Sequence, residues 1–109
     1  MVDEQVFRRD TDRALEHLKR SLIQAEEDGG FEVEENNGVL NVVFELPKAK
    51  FVFTPNTPVR QIWISALTSS FKLDWADGNF VLAKTGEQLL ALTERLVREQ
   101  VSDQNFRLG

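Results

Sequence analysis

Apolar residues recur along this chain with two different periods. Phe7, Ala14, Leu15, Leu18, Leu22 and Ala25 stand mostly three, four and seven apart, the single stripe of a long amphipathic helix over residues 3–27. Asp3 is the expected N-cap, and Gly29-Gly30 is the expected stop because glycine tolerates positive φ. From Phe31 the period falls to two. Phe31 and Val33 alternate with Glu32 and Glu34, as a half-buried strand requires, and Asn36-Asn37-Gly38 is tight-turn chemistry. A second strand over 39–46 puts Leu40, Val42, Phe44 and Leu46 on one face and ends at Pro47.

The alternation continues through a short strand at 50–54, a Pro55–Pro58 connection, and a strand at 59–66. There Arg60, Ile62, Ile64 and Ala66 face one way, and Val59, Gln61, Trp63 and Ser65 the other. Strands at 71–75 and 80–83 flank Ala76-Asp77-Gly78-Asn79 as a further hairpin. Thr85-Gly86-Glu87-Gln88 reads as a capping box for a second amphipathic helix, striped by Leu89, Leu92 and Leu96 with Leu90, Val97 and Val101. A polar tail, 102–109, carries Phe106 and Leu108. Helix, five to six strands and helix, joined by short connections, predict an α+β fold. Both helices pack on one face of an antiparallel sheet, giving a two-layer α/β sandwich.

A chain of 109 residues with 41% apolar content fits one compact domain, 1–109. Without cysteine, neither a disulfide nor a thiolate metal site can form. The first ten residues are mostly polar, which disfavours a signal peptide or a membrane span; the expected compartment is the cytoplasm, with a processed mitochondrial form equally compatible. A net charge of −5 argues against a nucleic-acid partner.

The placement of that charge says more. Residues 1–35 hold eleven acids against five bases, whereas the other 74 residues hold seven against eight. Glu26, Glu27 and Asp28 fall at a helix C-terminus, where the macrodipole is negative and acids are disfavoured, and Glu32, Glu34 and Glu35 follow at once. Local rules tend to be broken at functional sites. Clustered carboxylates are hard oxygen ligands suited to Fe³⁺, Fe²⁺, Mn²⁺, Ca²⁺ or Mg²⁺. The same pattern also describes a solvated acidic face that protects an edge strand, or an electrostatic dock for a basic protein. Trp63 is the second departure: alternation places it on the solvent side, and tryptophan is a favoured interface anchor. The alternative is packing against a loop or Phe71. Trp75 reads as packing and His17 as an ordinary surface histidine. No cysteine nucleophile, phosphate loop or G-x-S-x-G motif is present.

Asn37-Gly38-Val39-Leu40 with Val42 and Phe44-Glu45, Pro58-x-x-Gln61-Ile62-Trp63-Ile64-Ser65, Phe71-Lys72-x-Asp74-Trp75 and Lys84-x-Gly86-Glu87 together resemble the frataxin family, whose bacterial members are called CyaY. The resemblance spans about residues 5–100 and implies the same sandwich fold. It further implies a weakly bound iron ion, Fe²⁺ or Fe³⁺, and a role in iron–sulfur cluster assembly beside a cysteine desulfurase and a scaffold protein. The positions matching the family's acidic ridge are Glu16, Glu26, Glu27, Asp28, Glu32 and Glu34, with Glu35 beside it; Gln61 and Trp63 match its partner-contacting sheet residues. Thr54 and Asn56 stand where the family more often has asparagine and glutamine. Three functions are therefore expected to compete: a monomeric adaptor that docks through ridge and Trp63, an iron chaperone with ferroxidase activity, and a metal-free acidic interaction domain.

Overall fold

The structure, a computed structural model, describes residues 2–45 and 48–109, with the side chain of Val2 also outside the description. Helix α1 (Val2–Gln24) already includes Asp3, so Asp3 is not the N-cap. It lies with Glu4 in the first turn, where a carboxylate still favours the helix dipole. Nor is the helix continuous to Glu27. It breaks at Ala25 and resumes as the four-residue α2 (Glu26–Gly29). Gly30, at φ +66°, closes it by donating its N–H to the Glu26 carbonyl at 2.9 Å. Gly29 is needed for a different reason: a Cβ there would lie 2.1 Å from the Phe31 ring.

Strands β1 (Phe31–Asn36), β2 (Val39–Glu45), β3 (Lys48–Asn56), β4 (Gln61–Ala66), β5 (Ser69–Ala76) and β6 (Asn79–Val81) form one antiparallel sheet in chain order. Asn37 (φ +50°) and Gly38 (φ +83°) make the β1–β2 turn, both left-handed as a twist-matched two-residue hairpin demands. Leu46 and Pro47, the expected end of β2, lie outside the described residues. β3 runs longer than the predicted 50–54. β4 starts two residues later than predicted, because Thr57–Val59 winds a 3-10 turn and Arg60 takes φ +55°.

The inner face of the sheet supplies Phe44, Phe51, Phe53, Ile62, Ile64 and Leu73 to the core. α1 closes over them with Phe7, Leu18 and Leu22, and α3 (Leu89–Val101) with Leu92, Leu96 and Val97. The predicted capping box is not made. Gly86, at φ +81°, donates its N–H to the Leu82 carbonyl at 2.7 Å, closing a turn before the helix starts. Within that turn Thr85 Oγ1 accepts the Glu87 N–H and donates to Glu87 Oε1, leaving Gln88 as an N-cap without a side-chain bond.

The tail is not a polar appendage. After Ser102 ends α3 in the left-handed region, the chain folds back so that Phe106 and Leu108 join the core. The Arg98–Glu94 pair (2.7 Å) grips it: Arg98 Nε donates to the Phe106 carbonyl and Glu94 Oε2 accepts the Leu108 N–H, both at 2.8 Å. The Phe106 ring meets Phe31 edge-on at 6.1 Å, buttressing the junction of α2 and β1.

Candidate functional site

The α2–β1 junction carries most of the acids that break local rules, and the structure sorts them into three groups. Glu16, on α1, accepts from Arg20 Nε at 3.0 Å, and Glu35, on the helix side of β1, accepts from Lys19 Nζ at 2.9 Å. These two are matched by bases of the same chain. The hydrogen bond to Glu35 holds the Lys19 ammonium above its ordinary value. Glu26 does a structural job: its Oε2 accepts the Val33 N–H at 2.8 Å, tying α2 to the edge strand and occupying an amide of that strand. Glu27, Asp28, Glu32 and Glu34 form the third group. All four are exposed and make no hydrogen bond or ion pair among the described residues.

By alternation Glu32 and Glu34 face away from the helices, opposite Val43 and Asn41 of β2. Two such positions on one strand are about 7 Å apart. Among the described residues no three His, Asp or Glu side chains converge on a point where one ion could sit. The array is therefore a source of negative field on a helix–strand edge, able to attract hydrated cations or a basic surface without caging an ion.

Trp63 stands on the outer face of β4, 38% exposed, between Ile62 and Ile64, which are buried. Its orientation is fixed by a relay: the indole Nε1 donates to Gln61 Oε1 at 2.8 Å, and Gln61 Nε2 donates to Asp74 Oδ1 at 2.8 Å. Lys72, its cross-strand neighbour on β5, places Nζ 4.6 Å from the indole centroid. That cation–π contact leaves the ring one face for a partner. Val52, Thr54, Phe71 and Trp63 line a cleft of about 430 Å³ there. Asp74 and Lys72 were not singled out as site residues; the signal that finds them is the β4–β5 register, which sets them beside Gln61 and Trp63. Trp75 packs as expected, edge-on to Phe7 at 5.4 Å with Nε1 donating to Asp10 Oδ2 at 3.0 Å. His17 is exposed, also as expected.

The frataxin-like domain family matches residues 1–103. The chain belongs to that family. Among curated relatives, the iron-sulfur cluster assembly protein CyaY of Pseudomonas fluorescens is 32% identical over 75 residues, covering 67% of each chain. CyaY of Azotobacter vinelandii is 28% identical over 94 residues, covering 83% of this chain and 84% of its own. Of solved structures, a frataxin from Psychromonas ingrahamii superposes with a TM-score of 0.80 at 15% identity, over 97% of this chain and 95% of that one. Yeast frataxin superposes with a TM-score of 0.72 at 23% identity, over 91% and 83%. At those identities the two structures establish the fold, and the frataxin sandwich of helices on one antiparallel sheet is the fold described above.

Proposed function

We propose that this frataxin-like domain works in iron–sulfur cluster assembly as an adaptor without catalytic machinery of its own. The names of its CyaY relatives supply the pathway. One observation carries the mechanism: among the described residues Glu27, Asp28, Glu32 and Glu34 stay uncompensated while Glu35 and Glu16 are paired to Lys19 and Arg20. Such a strip docks to a basic surface, here that of a cysteine desulfurase, and steers the encounter through its field. Trp63, held by Gln61 and Asp74, supplies the apolar anchor for desulfurase or scaffold. Fe²⁺ or Fe³⁺ is a weakly held, exchangeable cargo of the same oxygens, and its occupancy tunes docking by cancelling charge.

The test is Glu27→Gln, Asp28→Asn, Glu32→Gln and Glu34→Gln combined, with affinity for the desulfurase measured by calorimetry at two ionic strengths. About tenfold or greater loss is expected, together with loss of salt sensitivity, since screening acts beyond about 10 Å at about 0.1 M salt. Unchanged affinity overturns the reading. Nothing in the geometry favours the ferroxidase alternative, and oxygen uptake with Fe²⁺ is expected at the uncatalysed rate.

A further inference from the structure

A second concave surface shares no lining residue with the strip of Glu27, Asp28, Glu32 and Glu34 or with the tryptophan cleft. The middle of α1, the β5–β6 turn with β6, and the start of α3 enclose an open cavity of about 390 Å³. Its floor is apolar, built from Ala14, Leu18, Phe80 and Leu89, and three of these are buried core residues. Its wall carries Arg13 and His17, one helical turn apart and so on the same face of α1. No carboxylate lines it, although the chain has 18 acids against 13 bases.

Arg13 is free for a physical reason. The carboxylates three residues before and after it on α1 are already engaged: Asp10 accepts from Trp75 Nε1 and lies 3.6 Å from Arg9 Nε, and Glu16 accepts from Arg20. Arg13 makes no ion pair or hydrogen bond among the described residues. An unpaired guanidinium and an imidazole N–H at the mouth of an apolar hollow of ligand size is the usual anatomy of a small-molecule site. Arginine in particular presents paired donors to planar or tetrahedral oxyanions.

We propose that this cavity binds a small organic anion, with a ring-sized apolar body seated on Leu18, Phe80 and Leu89 and its anionic oxygens held by Arg13 and His17. The site is separate from the docking surfaces, so the proposal stands or falls independently of the adaptor reading. A regulator bound there would bridge α1 and the start of α3, the two elements that close the core.

The experiment is an amide-resolved NMR titration of the full chain with three probes: 2-naphthoate, its neutral counterpart 2-naphthamide, and inorganic phosphate. Saturable shifts with naphthoate are expected at Ala14, Leu18, Gly78, Phe80 and Leu89, in the millimolar range usual for fragments of this size. Naphthamide should bind about fivefold more weakly, because it lacks the charge-assisted bonds. Phosphate, which has no apolar body, should give no saturable shifts at the floor residues. Arg13→Gln should abolish the preference for naphthoate while leaving thermal stability unchanged, since Arg13 makes no ion pair or hydrogen bond among the described residues. Ala14→Leu, which fills the floor on a helix that tolerates leucine, should block both naphthyl probes. Equal binding of the two naphthyl probes, shifts confined to the Trp63 cleft, no saturable shifts, or an Arg13→Gln chain that still prefers naphthoate would each overturn the proposal.

Discussion

Replacing Phe106 with alanine tests whether the C-terminal segment belongs to the core. The ring is 3% exposed, lies edge-on to Phe31 at 6.1 Å and would meet a Cβ on Gly29 at 3.1 Å. Truncating a buried phenylalanine costs about 3–5 kcal/mol, combining lost transfer free energy with the cavity left behind. Phe106 sits at the periphery, where the tail can settle inward, so the low end applies, about 3 kcal/mol. A chain of 109 residues unfolds with an entropy of about 0.23 kcal/mol/K, so Tm should fall by about 13 °C. Circular dichroism melts measure this, with the exposed Asn105→Ala as control, expected within about 0.5 kcal/mol of the parent. Hydrogen exchange at the Val33 amide should also accelerate, because that amide is bonded by Glu26 on the α2 segment that Phe106 buttresses. A Tm loss under about 4 °C, or a loss no larger than the control's, would refute the claim that the tail completes the core.

Thr68 turns the β4–β5 hairpin at φ +61°, an unfavourable conformation for a β-branched residue. Thr68→Gly should raise stability by up to about 1 kcal/mol in urea titrations, the left-handed penalty removed less the added chain entropy; a lower urea midpoint would contradict this. Hydrogen bonds from Arg95 hold the Glu87 carboxyl below its ordinary value of 4.5, so the pair's contribution is present above that pH and is lost as pH falls through the lower folded value. Glu87→Gln should therefore cost up to about 1 kcal/mol at neutral pH, and the gap to the parent should close in strong acid; a gap that persists in acid argues against the assignment. Lys19→Gln frees Glu35 and extends the uncompensated strip, so desulfurase affinity at low salt should rise a few-fold. A fall would mean that Lys19 itself touches the partner.

Much of the architecture was legible because period and burial agree. Phe31 and Val33 against Glu32 and Glu34, and Ile62 and Ile64 against Trp63, show alternation translated directly into two faces of one sheet. Misreadings arose where backbone conformation overrode side-chain signals. Ala25 looked like one more apolar position on the α1 stripe, yet the helix breaks there and α2 restarts. Thr85 and Gln88 matched a capping box by spacing, but Gly86 at φ +81° used the intervening residues for a turn. The tail misled through composition, its two apolar residues being diluted by polar neighbours. Its anchoring by Arg98 and Glu94 is a contact between residues 8 and 14 positions apart, invisible to any local pattern.

The acidic cluster shows why counting charges reads a site only halfway. Six acids in ten residues looked like one feature, but side-chain geometry divides them. Glu26 is spent on an edge-strand amide, Glu35 on Lys19, and only four remain to act outward. For Glu32 the strand register shows why no base of the chain pairs with it among the described residues. The base that shares a cross-strand row with Glu32 is Lys50, reached through Val43. Two strand spacings separate them by about 10 Å, which is about one Debye length. That spacing is between backbones, and no ion pair joins the two side chains among the described residues, whereas a cation brought from outside could settle over Val43 within contact of Glu32. The fold thus leaves its own opposite charges apart at the place where its acids are densest, and in the proposed docking a basic partner fills that gap.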